Sequence, residues 1–146
     1  MTSIRRTRIE DLPAILRIET KSFARDAWSR DHFLDYVAHP ARCVFLVALL
    51  NGTVIGYTLA YHTAIRAEID SIAVTPRHRR KGIAATLLKR VLNSLRELGL
   101  PAVFLNVRLE NDSAIRLYQE LGFAPIRRIH NYYEDGSTAI RMRRVL

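Results

Sequence analysis

Residues 68–84 read Glu68-Ile69-Asp70-Ser71-Ile72-Ala73-Val74-Thr75-Pro76-Arg77-His78-Arg79-Arg80-Lys81-Gly82-Ile83-Ala84, and the parsing of this stretch decides the architecture. Glu68 to Val74 has strand character and stops at Thr75-Pro76. From Gly82 to Leu98 the apolar positions Ile83, Leu87, Val91, Leu95 and Leu98 recur at helical spacing, and Gly99 and Pro101 end the pattern. Ala102 to Leu109 is again a strand, so the two strands are expected to lie parallel, joined by a right-handed helical crossover. Between first strand and helix sits Arg79-Arg80-Lys81-Gly82-Ile83-Ala84. A helix N-terminus offers unpaired N–H groups and partial positive charge, and Gly82 and Ala84 leave room for a phosphate to approach. No Gly-Lys-Ser/Thr follows and only one Gly is present, which excludes the Walker loop and the dinucleotide fingerprint.

Upstream, Ile4 to Arg8 reads as an edge strand, and Glu10-Asp11-Leu12-Pro13 opens a helix that runs to about Ser22. Ser29 is a candidate N-cap of a second helix ending near His39-Pro40, with Trp28 and Phe33 spaced for a hydrophobic staple. Cys43 to Leu50 and Thr53 to Ala60 flank Asn51-Gly52, an antiparallel hairpin signal. Downstream, Asn111 to Leu121 is a short amphipathic helix closed by Gly122, with Phe123 placed for a Schellman contact. Ile126 to Tyr133 and Thr138 to Val145 read as a closing hairpin. The class is α/β with a mixed sheet, and no linker or repeat interrupts 1–146, so a single domain is expected.

Composition narrows the function classes. A chain of 146 residues with 49% hydrophobic and 25% charged residues buries a core without staples, and its single Cys43 excludes an intrachain disulfide. Neither a membrane span nor a signal peptide is recognised, so a cytoplasmic location is expected. The excess of 23 Lys and Arg over 14 Asp and Glu gives +9, densest at Arg77 to Lys81, and suits an acidic or phosphorylated partner. The five histidines lack metal-ligand spacing, so no metal is expected.

Further motifs sharpen the reading. Ile72-Ala73-Val74-Thr75-Pro76 before the basic turn, and Asn111, Ala114, Tyr118 and Gly122-Phe123 after the next strand, together resemble the acetyl-CoA-binding core of the GNAT acetyltransferases. Ile18-Glu19 with Ser22-Phe23, Trp28-Ser29 and Asn131-Tyr132-Tyr133 resemble the ribosomal-protein alanine and other protein N-terminal acetyltransferases of that family. The resemblance implies a mixed, mostly antiparallel sheet of about seven strands with a central parallel pair and about four helices. It also implies transfer of acetyl from acetyl-CoA to a primary amine, a protein N-terminus first and a lysine side chain or small amine as the alternative. Backbone groups of Ile72, Ala73 and Val74 are expected along the pantetheine arm. Arg79, Arg80, Lys81, Gly82, Ile83, Ala84 and Ala85 are expected at the phosphates, and Asn111 and Tyr118 also at the cofactor.

Tyr118 matches the family's general acid. The base is where the chain departs from its closest pattern: Leu105-Asn106-Val107-Arg108 stands where the ribosomal alanine enzymes carry Leu-Glu-Val-Arg, and Asn106 cannot titrate usefully. Glu68 becomes the expected base, with Asp70 on the same strand face and a water chain as alternatives, while Asn106 holds the substrate. Glu19, Tyr132 and Tyr133 are expected to grip an acceptor N-terminus. A monomer or homodimer is expected, without membrane or nucleic-acid partner. The competing classes are a basic nucleic-acid-binding module and a non-catalytic CoA-binding protein.

Overall fold

Continuous burial along Cys43–Leu50 shows where the centre of the molecule lies. In the computed structural model, which describes residues 1–146, this strand is buried on both faces: Val44, Leu46 and Ala48 enter one core and Phe45, Val47 and Leu49 the other. Period-2 alternation thus supplies two apolar faces, and helices cover both. The elements in chain order are β1 (Thr2–Arg6), α1 (Leu12–Phe23), α2 (Arg30–Ala38), β2 (Cys43–Leu50), β3 (Thr53–His62), β4 (Ala67–Val74), α3 (Ile83–Glu97), β5 (Ala102–Arg108), α4 (Asp112–Glu120), β6 (Ala124–Ile129) and β7 (Ala139–Val145). The seven strands form one sheet ordered β1-β2-β3-β4-β5-β7-β6. Only the β4–β5 pair is parallel.

The expected mixed sheet, central parallel pair and four helices are therefore present. On one face α3 buries Leu87, Leu88, Val91, Leu92 and Leu95. On the other, Leu12, Ile15 and Ile18 of α1 and Phe33 of α2 pack on Phe45, Tyr57 and Leu59. Two local expectations are corrected. The closing hairpin is not a long strand pair, because β6 ends at Ile129, Asn131 takes φ 54°, and the N–H groups of Tyr132 and Tyr133 both donate to the Ser137 carbonyl at 3.2 Å. Both tyrosines thus sit on a loop. Trp28 stacks on His32 at 4.1 Å, and Phe33 turns into the core against Phe45 and Tyr57 instead of completing a staple.

Two features of β4 position the site. Its pairing with β5 is limited to Ala67 with Val103 and Glu68 with Phe104, beyond which the strands part. Its pairing with β3 jumps from Leu59–Ser71 to Ala60–Ile69, leaving Asp70 as the extra residue of a β-bulge. The bulge reverses the alternation: Ala67 and Ile69 enter the α3 core before it, whereas Ser71 and Ala73 face α1 and α2 after it. Asp70 and Ser71, adjacent in sequence, consequently face the same side and bond to α2 and α1 respectively.

The chain start is pinned by charge. Arg5 of β1 donates to both oxygens of Asp11 at 2.8 and 2.9 Å, and the Arg8 N–H donates to the same carboxylate at 2.7 Å. Burial alone would raise the Asp11 pKa, but the Arg5 guanidinium and the Arg8 N–H outweigh it and hold the carboxyl below its usual range. A depressed folded-state pKa contributes stability above the unfolded value that is lost as pH falls through the folded one. Asp11→Asn is expected to lower the unfolding free energy by about 2 kcal/mol at neutral pH. Urea melts at pH 7 and near pH 3 check this, and the difference between variant and wild type should shrink at the acid end.

Candidate active site

Where β4 and β5 part, a cleft of about 470 Å³ runs through the sheet. Ile69, Leu105 and Tyr118 line it from the α3 and α4 side, and Glu19, Trp28, Asp70 and Ser71 from the α1 and α2 side. The edge of β4 facing this gap has no strand partner from Ile69 onward, and a strand edge of this kind takes up an extended ligand by backbone hydrogen bonds. At the end of β4 the chain passes through Arg80 at φ 62° and Gly82 at φ 78° before α3 begins at Ile83. The backbone N–H groups from Arg80 to Ala85 find no acceptor in the protein, and the first α3 bond closing this turn is Thr86 N–H to Gly82. An uninterrupted arch of free donors at a helix N-terminus fits a pyrophosphate.

Arg79 is the exception among the residues expected there. Its Nε donates to the Val74 carbonyl at 3.0 Å and its Nη2 to Ser22 Oγ at 3.3 Å, so its guanidinium braces the turn against α1. The same bond engages the carbonyl of Val74; in the register set by the Thr75 N–H bond to Ile55, Ala73 pairs with Tyr57 of β3, and the backbone groups of Ile72 with the Val74 N–H are left facing the gap.

Tyr118 is held by the end of its own helix. Phe123 N–H donates to the Tyr118 carbonyl and Gly122 N–H to that of Gln119, both at 3.0 Å, the paired bonds of a Schellman motif. The accompanying apolar contact sets the Phe123 ring edge-on to Tyr118 at 5.8 Å. Gly122 at φ 89° is required here, because a Cβ would lie 2.6 Å from Arg144 Nε. Burial pushes the Tyr118 phenol well above its usual range, helped by Tyr133, and its hydroxyl bonds to no protein group. It therefore reaches the cleft as a protonated donor. Asn111 caps α4, its Oδ1 accepting from Ala114 N–H at 3.3 Å, and also borders the cleft.

On the acceptor side the expected residues are drawn into networks. Glu68 accepts from Arg141 through both oxygens, one contact at 3.3 Å and the other shorter. Arg141 also donates to Asn106 Oδ1 at 3.1 Å, and Asn106 Nδ2 donates to the Tyr132 hydroxyl at 3.0 Å. Glu68, Asn106 and Tyr132 thus form one polar string through Arg141. Glu19 is 1% exposed and accepts from Ser71 at 2.7 Å, from the Trp28 N–H at 2.9 Å and from the Tyr57 hydroxyl. Its lone pairs serve the protein, so it orders the cleft wall and does not present a free carboxylate to an acceptor. Tyr133 lies under Arg108 at 4.2 Å, and burial pushes its phenol up to about 12. Arg108 also bonds Asp26 at 2.6 Å and Asp135 at 3.2 Å, tying the segment after α1 to the loop that carries both tyrosines.

Arg108, Asp26, Arg141 and His32 were not singled out from sequence. Arg108 and Arg141 alternate with apolar residues in their strands, which marks a side chain on one face but not its partner. No group of three or more His, Cys, Asp or Glu side chains is placed to hold a metal ion.

A cleft through a split sheet, a donor arch at one end and a buried phenol midway define an acyltransferase with a phosphorylated co-substrate. Residues 9–123 match the model of the acetyltransferase (GNAT) family, and the chain belongs to that family. It is an acetyl-CoA-dependent N-acetyltransferase. It is 33% identical to the ribosomal protein bS18-alanine N-acetyltransferase of Escherichia coli K12, over 91% of this chain and 88% of that one. It is 30% identical to an N-alpha-acetyltransferase of Sulfurisphaera tokodaii, over 95% and 90%. Among solved structures, Ard1 from Thermoplasma volcanium superposes with a TM-score of 0.92 at 31% identity, covering 99% of this chain and 97% of that one.

Gly82 offers a direct test of the donor arch. A Cβ there meets no atom within 4 Å, so substitution leaves the packing intact and costs about 1–2 kcal/mol of backbone strain at φ 78°. Gly82→Glu, which adds a negative charge at the arch, is expected to weaken acetyl-CoA binding by about a hundredfold. Gly82→Ala, with the same strain and no charge, should keep most of the affinity. Calorimetric titration of both variants checks the pair.

Proposed function

We propose that the chain acetylates the α-amine at the N-terminus of a protein, a ribosomal protein being the first candidate acceptor, by direct attack of the amine on the thioester. The observation that carries this reading is the two-ended cleft. The donor arch lies at one end, and at the other the Tyr132-Tyr133 loop and the segment from Phe23 to Trp28 flank a mouth that Arg108 braces. Relatives aligned over nearly the whole chain and named for acetylating protein N-termini support it. Acetyl-CoA supplies an activated acyl carbon and a thiolate leaving group.

The chain's own residues do the rest. Donors from Arg80 to Ala85 hold the phosphates, and Ile72 and the Val74 N–H present backbone groups along the pantetheine arm. Tyr118, kept protonated by burial, donates to the departing sulfur. Tyr132 and Tyr133 wall the acceptor backbone, and Asn106 fixes Tyr132 through the 3.0 Å bond. Glu68, paired to Arg141, anchors that string. A buried lone Cys43, together with substrates made in the cytoplasm, leads us to place the protein there, as a monomer or homodimer.

Thiol release across peptides beginning Ala, Ser or Met, set against simple amines and internal lysine peptides, tests the acceptor. Turnover that depends on the peptide N-terminus is expected, and turnover of amines or lysine peptides alone would overturn the reading. Tyr118→Phe is expected to lower kcat by about a hundredfold with acetyl-CoA affinity unchanged. Steady-state kinetics with parallel titration checks this second prediction.

A further inference from the structure

Two carboxylates of β4 border the cleft, and their surroundings differ. Glu68 has both oxygens engaged by Arg141. Asp70 has one: His32 Nε2 lies 2.5 Å from Oδ2, while Oδ1 has no partner in the protein and is not sealed from solvent. Asp70 is one-tenth exposed, and its opening is the cleft that Tyr118 enters from the opposite face. The bulge produces this arrangement, since Asp70 is its extra residue and lies on the same side as Ser71.

His32 is itself held. Its ring stacks on Trp28 at 4.1 Å with 11° between planes, and meets Phe33 and Tyr36 edge-on at 5.5 Å each. The backbone N–H of Trp28 in turn donates to buried Glu19. A chain of contacts from α1 through Trp28 and His32 therefore fixes the Asp70 carboxylate and leaves one oxygen for the substrate.

Resting on the acetyltransferase reading, we propose that Asp70 is the general base of the reaction and that His32 is its positioning residue. Asp70 is preferred to Glu68 for this role because Arg141 engages both Glu68 oxygens and neutralises that carboxylate. The acceptor enters as the neutral amine, which free α-amino groups with pKa near 8 supply in quantity at slightly alkaline pH. Its lone pair forms the N–C bond as the C–S bond breaks. The attacking nitrogen becomes acidic as it gains positive charge, so a carboxylate that cannot deprotonate a free ammonium takes this proton at Oδ1. Tyr118 protonates the sulfur, and solvent in the cleft returns the proton from Asp70 to Tyr118. Charges and atoms balance over the cycle.

The groups facing the pair are Tyr36 on α2, Tyr57 and Tyr61 on β3, Glu68 with Arg141, Glu19 on α1, and Arg25 at the cleft mouth. Burial raises all three tyrosines, Tyr61 to about 12, so none of them loses its proton near neutrality.

The test uses the full chain and whichever acceptor, peptide or simple amine, turns over fastest in the wild type, so that it stands apart from the acceptor reading. Asp70→Asn is expected to lower kcat by about a hundredfold or more while acetyl-CoA affinity stays within twofold. Asp70→Glu, which keeps a carboxylate, should recover part of that loss. Glu68→Gln should lower kcat less than tenfold. His32→Ala should lower kcat about tenfold with KM and acetyl-CoA affinity unchanged, and His32→Gln, which still donates a hydrogen bond, should recover part of that loss. Near wild-type kcat in Asp70→Asn overturns the proposal, as does a larger loss in Glu68→Gln. Wild-type kcat in His32→Ala, or no recovery in His32→Gln, removes His32 from it. Failure of every peptide with turnover of simple amines would sink the N-terminal reading and leave Asp70 still tested.

Discussion

Everything the site does depends on β4 and β5 staying together for only two register pairs. β5 remains paired with β7 along its whole length, and β4 remains paired with β3 on both sides of the bulge at Asp70. Each strand is thus anchored on its outer side, and the extra residue in β4 turns it away from β5. A sheet that opens in its middle exposes backbone donors and acceptors that a closed sheet would satisfy, and burying them without partners is costly. The opening is tolerable because the cleft is open to solvent, and the same free groups are what an extended ligand needs. The donor arch from Arg80 to Ala85 lies just past the end of the divergent strand, so one departure from regular pairing sets both the slot and its phosphate end.

Charge is sorted along that slot. The chain carries a net +9, with its densest basic run at Arg77 to Lys81 beside the donor arch. Yet Glu19, Asp26, Glu68, Asp70 and Glu134 all border the cleft, against Arg25 and Arg108. An anionic co-substrate is drawn to one end, and an amine, cationic before it loses its proton, to the other. Most of the carboxylates are paired, which lets them stand close together: Arg141 holds Glu68, Arg108 holds Asp26, and three donors surround Glu19. Asp70 keeps an open oxygen because its partner, an imidazole, binds it at one point.

Local patterns carried much of this in the sequence. Helical spacing in α3, the apolar run of β2, the Asn111 cap and the Gly122-Phe123 terminus are all short-range signals, and each appears in the structure, except that Leu98 leaves the α3 stripe as an exposed cap after Glu97. The basic turn was legible because a strand, a glycine and a helical stripe follow one another within a few residues. Long-range pairings were not. Arg141 lies 73 residues from Glu68 and reaches it only because β7 inserts between β5 and β6, an order the expected closing hairpin did not contain. His32 and Asp70 are 38 residues apart and meet through a bulge that leaves no mark in apolar periodicity. Asn131 adopts a left-handed conformation inside what reads as a strand, which is why Tyr132 and Tyr133 were placed on the wrong element.

The asparagine at position 106 then makes physical sense. Its amide faces two ways, accepting from Arg141 at Oδ1 and donating to the Tyr132 hydroxyl at Nδ2. A carboxylate at that position has no hydrogen to give Tyr132 when ionised and would compete with Glu68 for the one guanidinium between them. Two unshared negative charges at that spacing repel, and one would be driven to hold a proton. With an amide on β5, the acidic groups can sit on β4 instead, one neutralised by Arg141 and one left open by His32. The amide on β5 and the two carboxylates on β4 are therefore parts of a single charge arrangement, held by Arg141 on one side and His32 on the other.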